Sequence, residues 1–304
     1  MIITVTLNPS VDYVVRINEL NIGSLNRTKD TAYFAGGKGI NVSQVLHELK
    51  VSSVATGFVG GFSGSFITDS LAEKGIKTNF IHVQEPTRIN VKLKTGEETE
   101  INGAGPEISP ESHRALIDLL DQYGAGDTLV LAGSIPSSLP SSLYGTLTMK
   151  AAERGLKVVI DAEKALLEPA LSSPLYFIKP NHHELGEYFG VDITTVEEAI
   201  TYGKKLLSYD IENIMISMAG DGAVLLTKEA SYRAQVPKGV VKNSVGAGDS
   251  SVAGFLAGRE KGLSIEEAFR LSVATGSATA FSEGLATADK IQKLVSQVSI
   301  QTLN

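Results

Sequence analysis

The sequence predicts an α/β protein with a mostly parallel central sheet, helices on both of its faces, and a small antiparallel β-sheet set apart from it. Three observations lead there. Short β-branched apolar runs alternate with amphipathic stretches along almost the whole 304 residues, the pattern of a parallel sheet covered on both sides. Two regions, 11–37 and 87–103, instead alternate at period two, carry glycine turns and have no helix between strands. Hydrophobic residues make up 42% and charged residues 20% of the chain, enough for a sizeable core and unlike a disordered composition. The length fits one domain spanning 1–304, with the two period-two regions as its appendage.

The predicted strands, in order, are Ile2–Asn8, Ser53–Gly60, Thr128–Gly133, Lys157–Ala162, Leu175–Asn181, Asn213–Met218 and Ala223–Thr227. Amphipathic periodicity predicts helices over Ile40–Lys50, Ser109–Tyr123 and Thr195–Tyr209, and a further helix follows the glycines at 246–248, from about Asp249 to Lys261. The second period-two region reads as a hairpin around Lys94–Glu97. In sheets of this kind ligands sit beyond the carboxyl ends of the strands, so chemistry is sought just after each one.

A net charge of −7 argues against a nucleic-acid or anionic-membrane surface. It leaves room for an anionic small molecule, which a few local cations decide. The absence of cysteine removes disulfides, thiolate chemistry and cysteine-ligated metals. No apolar run approaches the roughly 20 residues that span a bilayer. MIITVTLNPSVDYVV reads as a first strand, not a leader, so a cytoplasmic protein is expected.

The tetrapeptide GAGD occurs twice, at Gly124–Asp127 and Gly246–Asp249. The first copy follows a helix and enters a strand, which is helix-ending turn chemistry. The second opens a helix, where backbone N–H groups and the positive end of the helix dipole converge on the glycines, a ready anion site. Gly246 and Gly248 permit a close backbone approach, with Ala247 between them. Asp249 at such a site has two readings: a helix N-cap, or a general base that takes a proton from a hydroxyl attacking a phosphoryl group.

AGGKGIN (Ala35–Asn41) places Gly37, Lys38 and Asn41 at a second glycine-rich helix start. It is not a P-loop, because Ala32 stands where the first glycine belongs and Gly39 replaces Ser or Thr. No GxGxxG follows the first strand, which weakens a dinucleotide reading. Asp12, just past that strand, is suited to accept from sugar hydroxyls. Arg27 and Arg88 fall in the two period-two regions, each either solvated or a phosphate fork. Ser134 in AGSIP is a strand-end hydroxyl. KPNHHE (Lys179–Glu184) spaces Asn181 and Glu184 i, i+3 at a helix start, a pair that suits Mg²⁺ carrying waters and phosphates. His182 and His183 are adjacent at a helix start, where neighbouring side chains are expected to point apart, which disfavours a zinc site. SMAGDGA (Ser217–Ala223) fits a backbone wrapped on a nucleotide or a plain hairpin.

AGGKGIN, KPNHHE and NSVGAGDS, in this order and spacing, resemble the signatures of the ribokinase-like PfkB carbohydrate kinases along the full chain. Within that family TLNPSVDY, TRINVKLKTGEETEINGAGP and LAGSIPSSLP look most like bacterial 1-phosphofructokinases, with tagatose-6-phosphate kinases next. The resemblance implies a three-layer α/β/α sandwich whose small sheet is a lid and often a homodimer clasp. It implies Asp249 as catalytic base, with Gly246, Ala247 and Gly248 as the anion hole. Asp12, Gly37, Lys38, Asn41, Arg88 and Ser134, with Arg27 as companion, would hold the sugar phosphate. Lys179, Asn181, Ser217, Gly220 and Gly222 would line the ATP site, and Glu184 would organise Mg²⁺ through water. The implied reaction is ATP-dependent conversion of D-fructose 1-phosphate to fructose 1,6-bisphosphate. Alternatives are a tagatose 6-phosphate or fructose 6-phosphate kinase and a non-enzymatic sugar-phosphate-binding regulator. Many relatives read SLGxxGA where this chain has SMAGDGA, so Ala219 occupies a usual glycine position.

Overall fold

The computed structural model describes residues 1–95 and 98–303. Its first half comprises β1 (Ile2–Thr6), β2 (Ser10–Arg16), β3 (Asp30–Gly36), α1 (Lys38–Glu48), β4 (Ser53–Gly60), α2 (Gly61–Glu73), β5 (Lys77–Thr78), β6 (Ile81–Val83), β7 (Arg88–Lys94), β8 (Glu98–Ile101) and α3 (Pro110–Leu120). There follow β9 (Thr128–Ala132), α4 (Leu143–Glu153), β10 (Lys157–Asp161), α5 (Lys164–Leu167), β11 (Leu175–Ile178), α6 (His182–Phe189), α7 (Val196–Leu206), β12 (Ile211–Ser217) and β13 (Ala223–Thr227). The chain ends through β14 (Ser231–Gln235), α8 (Ala247–Glu260), α9 (Ile265–Ala280), α10 (Ala288–Val295) and β15 (Ser299–Leu303).

The main sheet runs β15-β14-β13-β12-β11-β10-β9-β1-β4-β5, with β6 also paired to β4. It is parallel from β12 to β5, as the alternating pattern predicts, and antiparallel across β13, β14 and β15. Strand side chains alternate between faces, and this divides the core in two. Ile3, Val5, Leu129, Leu131, Val158 and Ile160 meet Leu116, Tyr144, Leu147 and Leu206 of α3, α4 and α7. Ile2, Val130, Val159 and Met215 meet Val45, Phe255 and Phe269 of α1, α8 and α9 on the other side. The result is the α/β/α sandwich that the resemblance implies.

All seven predicted strands and four predicted helices form, with ends shifted by a few residues. α9 was not legible. Its sequence, IEEAFRLSVATGSATA, buries Ala, Ser, Thr and Gly nearly all round, so no polar stripe marks a helical face.

The small sheet, ordered β3-β2-β7-β8, is built from the two period-two regions. Two antiparallel hairpins, β2–β3 and β7–β8, meet along one parallel pair, β2 with β7. Of the turn expected around Lys94–Glu97, Gly96 and Glu97 lie outside the described residues. One face of the sheet presents Asp12, Val14, Arg16, Lys92 and Lys94 to a cleft of about 890 Å³. The other face gathers Tyr13, Val15, Ile17, Val91 and Leu93, with Tyr13 stacked on Tyr33 at 4.5 Å between centroids. Among the described residues no helix is long and apolar enough to cross a membrane.

Candidate active site

The first GAGD is a turn. Asp127 N–H donates to Gly124 O at 3.0 Å, and the Asp127 carboxylate accepts from Gly124 N–H and from the Met1 ammonium. The second is different in kind. Gly246 caps α8 in the left-handed region at φ 78°, a conformation costly to any side chain. The capping position therefore belongs to Gly246, and Asp249 is the third residue of the helix.

The Asp249 carboxylate makes no bond to its own helix end. Its Oδ2 accepts from Asn41 Nδ2 at 2.8 Å, and its Oδ1 has no hydrogen-bond partner among the described residues. The side chain is 5% exposed. Burial, and then the negative charge of Asp161, push its pKa up to about 6, against the pull of Lys38, the Asn41 hydrogen bond and Lys179. A carboxylate with that proton affinity, held at a helix N-terminus, is suited to accept a proton near neutral pH.

Lys38 begins α1, the helix that also carries Asn41. Gly37 before it sits at φ 117°, and a Cβ there would lie 2.6 Å from Thr6 Cγ2, so the loop passes the end of β1 only as glycine. Lys38 Nζ lies 3.4 Å from Asp161 Oδ1, and Lys179 Nζ lies 3.5 Å from the same oxygen. Burial works against ionised Asp161, but Lys179 and Lys38 outweigh it and hold its pKa below the usual value. Asp161 in turn raises the pKa of Lys38. Lys179 also reaches the mouth of α8, where a Cβ on Gly248 would lie 3.0 Å from its Nζ.

Asp161 was not among the sequence candidates. The signal was present, since it is the penultimate residue of the predicted strand KVVIDA, at the carboxyl end where chemistry is sought.

Asp12 accepts from Ser10 Oγ at 2.8 Å and Asn90 Nδ2 at 3.2 Å, and it lines the cleft together with Asn41. Ser134 Oγ accepts a long 3.4 Å bond from Asn8 Nδ2. Arg88 is half-buried and donates to Asn8 O at 2.9 Å, Gly103 O at 3.3 Å and Pro9 O at 3.4 Å. Burial lowers its pKa while Asp12 opposes the change. The guanidinium thus ties the β1–β2 connection to the exit of the β7–β8 hairpin. Arg27 is exposed on the β2–β3 connection with no partner among the described residues.

The nucleotide-site candidates converge. Asn181 and Ser217 pair as an isolated parallel bridge, and Ser217 N–H donates to Pro180 O at 3.1 Å. Asn181 and Glu184 close a capping box on α6. Glu184 Oε2 accepts from Asn181 N–H at 2.8 Å, which leaves Oε1 without a partner among the described residues. That oxygen fits an outer contact to Mg²⁺ carrying its own waters. No cluster of three or more His, Asp or Glu that could cage a metal occurs among the described residues. The β12–β13 turn holds Ala219 at φ 48° and Gly222 at φ 99°, with Gly220 open on its Cβ side.

A buried carboxylate with one free oxygen, two convergent lysines, a glycine-capped helix mouth and a lid over the cleft define a phosphotransferase site of the sugar-kinase class. Residues 5–292 match the pfkB family carbohydrate kinase profile, and the chain belongs to that family. It is 53% identical to the 1-phosphofructokinase of Bacillus subtilis (strain 168), with 100% of both chains covered. It is 39% identical to the D-tagatose-1-phosphate kinase of Bacillus licheniformis, again over 100% of both. Phosphofructokinase-2 from Escherichia coli, solved in complex with substrates and products, superposes with a TM-score of 0.93 at 25% identity, over 97% of this chain and 98% of that one.

Proposed function

We propose that this protein transfers the γ-phosphoryl group of ATP to the 6-hydroxyl of D-fructose 1-phosphate, giving fructose 1,6-bisphosphate and ADP. The observation that carries the reading is Asp249, with Oδ2 fixed by Asn41 and Oδ1 free at the mouth of α8. Full-length identity of 53% to a 1-phosphofructokinase supports the choice of sugar.

In this reading Asp249 takes the proton of the 6-hydroxyl as its oxygen attacks the γ-phosphorus and the bond to the β-phosphate oxygen breaks. The N–H groups of Ala247 and Gly248 face the charge on the transferring group, where aimed donors contribute most. Lys179 stands beside the same helix mouth, and Lys38, whose Nζ approaches the same Asp161 oxygen, would meet the acceptor sugar phosphate. Asp12 receives sugar hydroxyls from the lid strand β2. Asn181, Ser217 and the 219–222 turn take the nucleotide. Glu184 Oε1 would hold Mg²⁺ through water, and the ion, bound with ATP, supplies neutralising charge on the phosphates. Closure of the small sheet over the cleft excludes water that would otherwise hydrolyse ATP.

The outer face of the lid supports a homodimer. Ile101 is 61% and Tyr33 55% exposed there, and Ile22 and Leu25 project from the β2–β3 connection beside Arg27. A second copy covering this surface would remove an apolar patch from water.

The test is ADP release by purified protein with ATP and Mg²⁺ over fructose 1-phosphate, tagatose 1-phosphate, tagatose 6-phosphate and fructose 6-phosphate. Fructose 1-phosphate should give the highest kcat/KM. Higher kcat/KM with a tagatose phosphate reassigns the sugar. Binding without ADP release for every sugar replaces the enzyme with a sugar-phosphate-binding regulator.

A further inference from the structure

We infer that Asp161 is a positioning residue for phosphoryl transfer, pinning the ammonium groups of Lys38 and Lys179 to one point between the acceptor and donor sides; this rests on the kinase reading above. The two lysines come from distant elements, the start of α1 and the end of β11. They meet a single oxygen, Asp161 Oδ1, at 3.4 and 3.5 Å. Two ammonium groups repel, and holding the buried Lys179 beside the partly exposed Lys38 needs a compensating charge. Asp161 is 2% exposed and its Oδ2 is buried with no partner, so half of its hydrogen-bonding capacity is unspent. A residue kept only for packing would not retain an orphaned carboxylate oxygen against that cost.

The placement has consequences on both sides. Lys179 Nζ is set against Gly248, so Asp161 decides where the cation meets the α8 amides. The charged and titratable groups around Asp161 are Lys38 from α1, Lys179 after β11, Tyr144 from α4 and Asp249 from α8, with Glu184 of α6 acting on Lys38. The negative charge of Asp161 is, after burial, the second reason that Asp249 holds its proton tightly. One carboxylate thus places the cations and keeps the base basic.

The test compares Asp161→Asn and Lys179→Gln in the full chain. The Asp249 titration is read by carboxyl ¹³C NMR, and kcat and KM are measured against pH. Asp161→Asn should lower kcat on the order of 10–100-fold, as for outer partners that orient groups at other charged sites. It should move the Asp249 titration down by about one pH unit, because a like charge has been removed. Lys179→Gln should move the titration up, because a favourable charge has been removed. An unshifted titration in Asp161→Asn, or shifts of the same sign in both variants, overturns the inference. If Asp161→Asn does not fold, the direction in Lys179→Gln decides. The NMR reading needs no turnover, so a wild-type protein inactive on every sugar phosphate overturns the kinase reading separately.

Discussion

Asn41 Nδ2 lies 2.8 Å from Asp249 Oδ2, joining the first turns of α1 and α8 across 208 residues of sequence. This bond aims the carboxylate, because the helix mouth itself makes none to it. It also favours the ionised form against burial. Asn41→Ala should therefore raise the pKa of the base. The acid limb of kcat/KM, expected near pH 6 in the wild type, should move to higher pH, with kcat falling about tenfold through lost orientation. A pH–rate profile of the two proteins checks this.

Asp249→Asn should lower kcat by about 10²–10⁴-fold with KM little changed, the loss typical of a general base. The same change should stabilise the fold. A carboxyl whose folded pKa is raised from 3.8 to about 6 costs stability above pH 6. That cost fades as pH falls through 6 and is gone below the unfolded value of about 4. A neutral amide avoids it, so the variant should gain on the order of 1–2 kcal/mol at pH 7.5 and little at pH 4. Thermal melts at both pH values test the sign.

Arg88→Ala should raise KM for the sugar phosphate and also destabilise the protein. The side chain satisfies carbonyls of Asn8, Pro9 and Gly103, and leaving buried acceptors unpaired costs about 1–3 kcal/mol. Denaturant melts together with steady-state kinetics in both substrates separate the two effects. A rise confined to the KM for ATP contradicts the assignment.

Ala219 holds φ 48°, where an L-residue is strained by about 1–2 kcal/mol. Ala219→Gly should relieve that strain at a smaller entropic cost, stabilising the protein by roughly 0.5–1 kcal/mol. KM for ATP should stay the same or fall. Calorimetry and ATP saturation curves measure both.

The exposed apolar face of the lid gives a solution test. If the proposed dimer forms through this face, Ile101→Asp, at a 61% exposed position, should give a monomer in light scattering where the unaltered protein gives a dimer, and should remove the concentration dependence of the melting temperature.

By itself, the sequence determined the sandwich, because strand and helix periodicities are local and each run carries its own. It also separated the two GAGD copies, because a helix follows only the second. Tertiary structure alone decided that Gly246, not Asp249, caps α8 and that Arg88 spends its donors on carbonyls. Only there do Lys38 and Lys179 converge on Asp161, a residue that reads in sequence as one of the closing letters of a buried strand. The reason is physical: a charge acts through the few ångströms around it, and those neighbours come from strands and helices that share no local pattern.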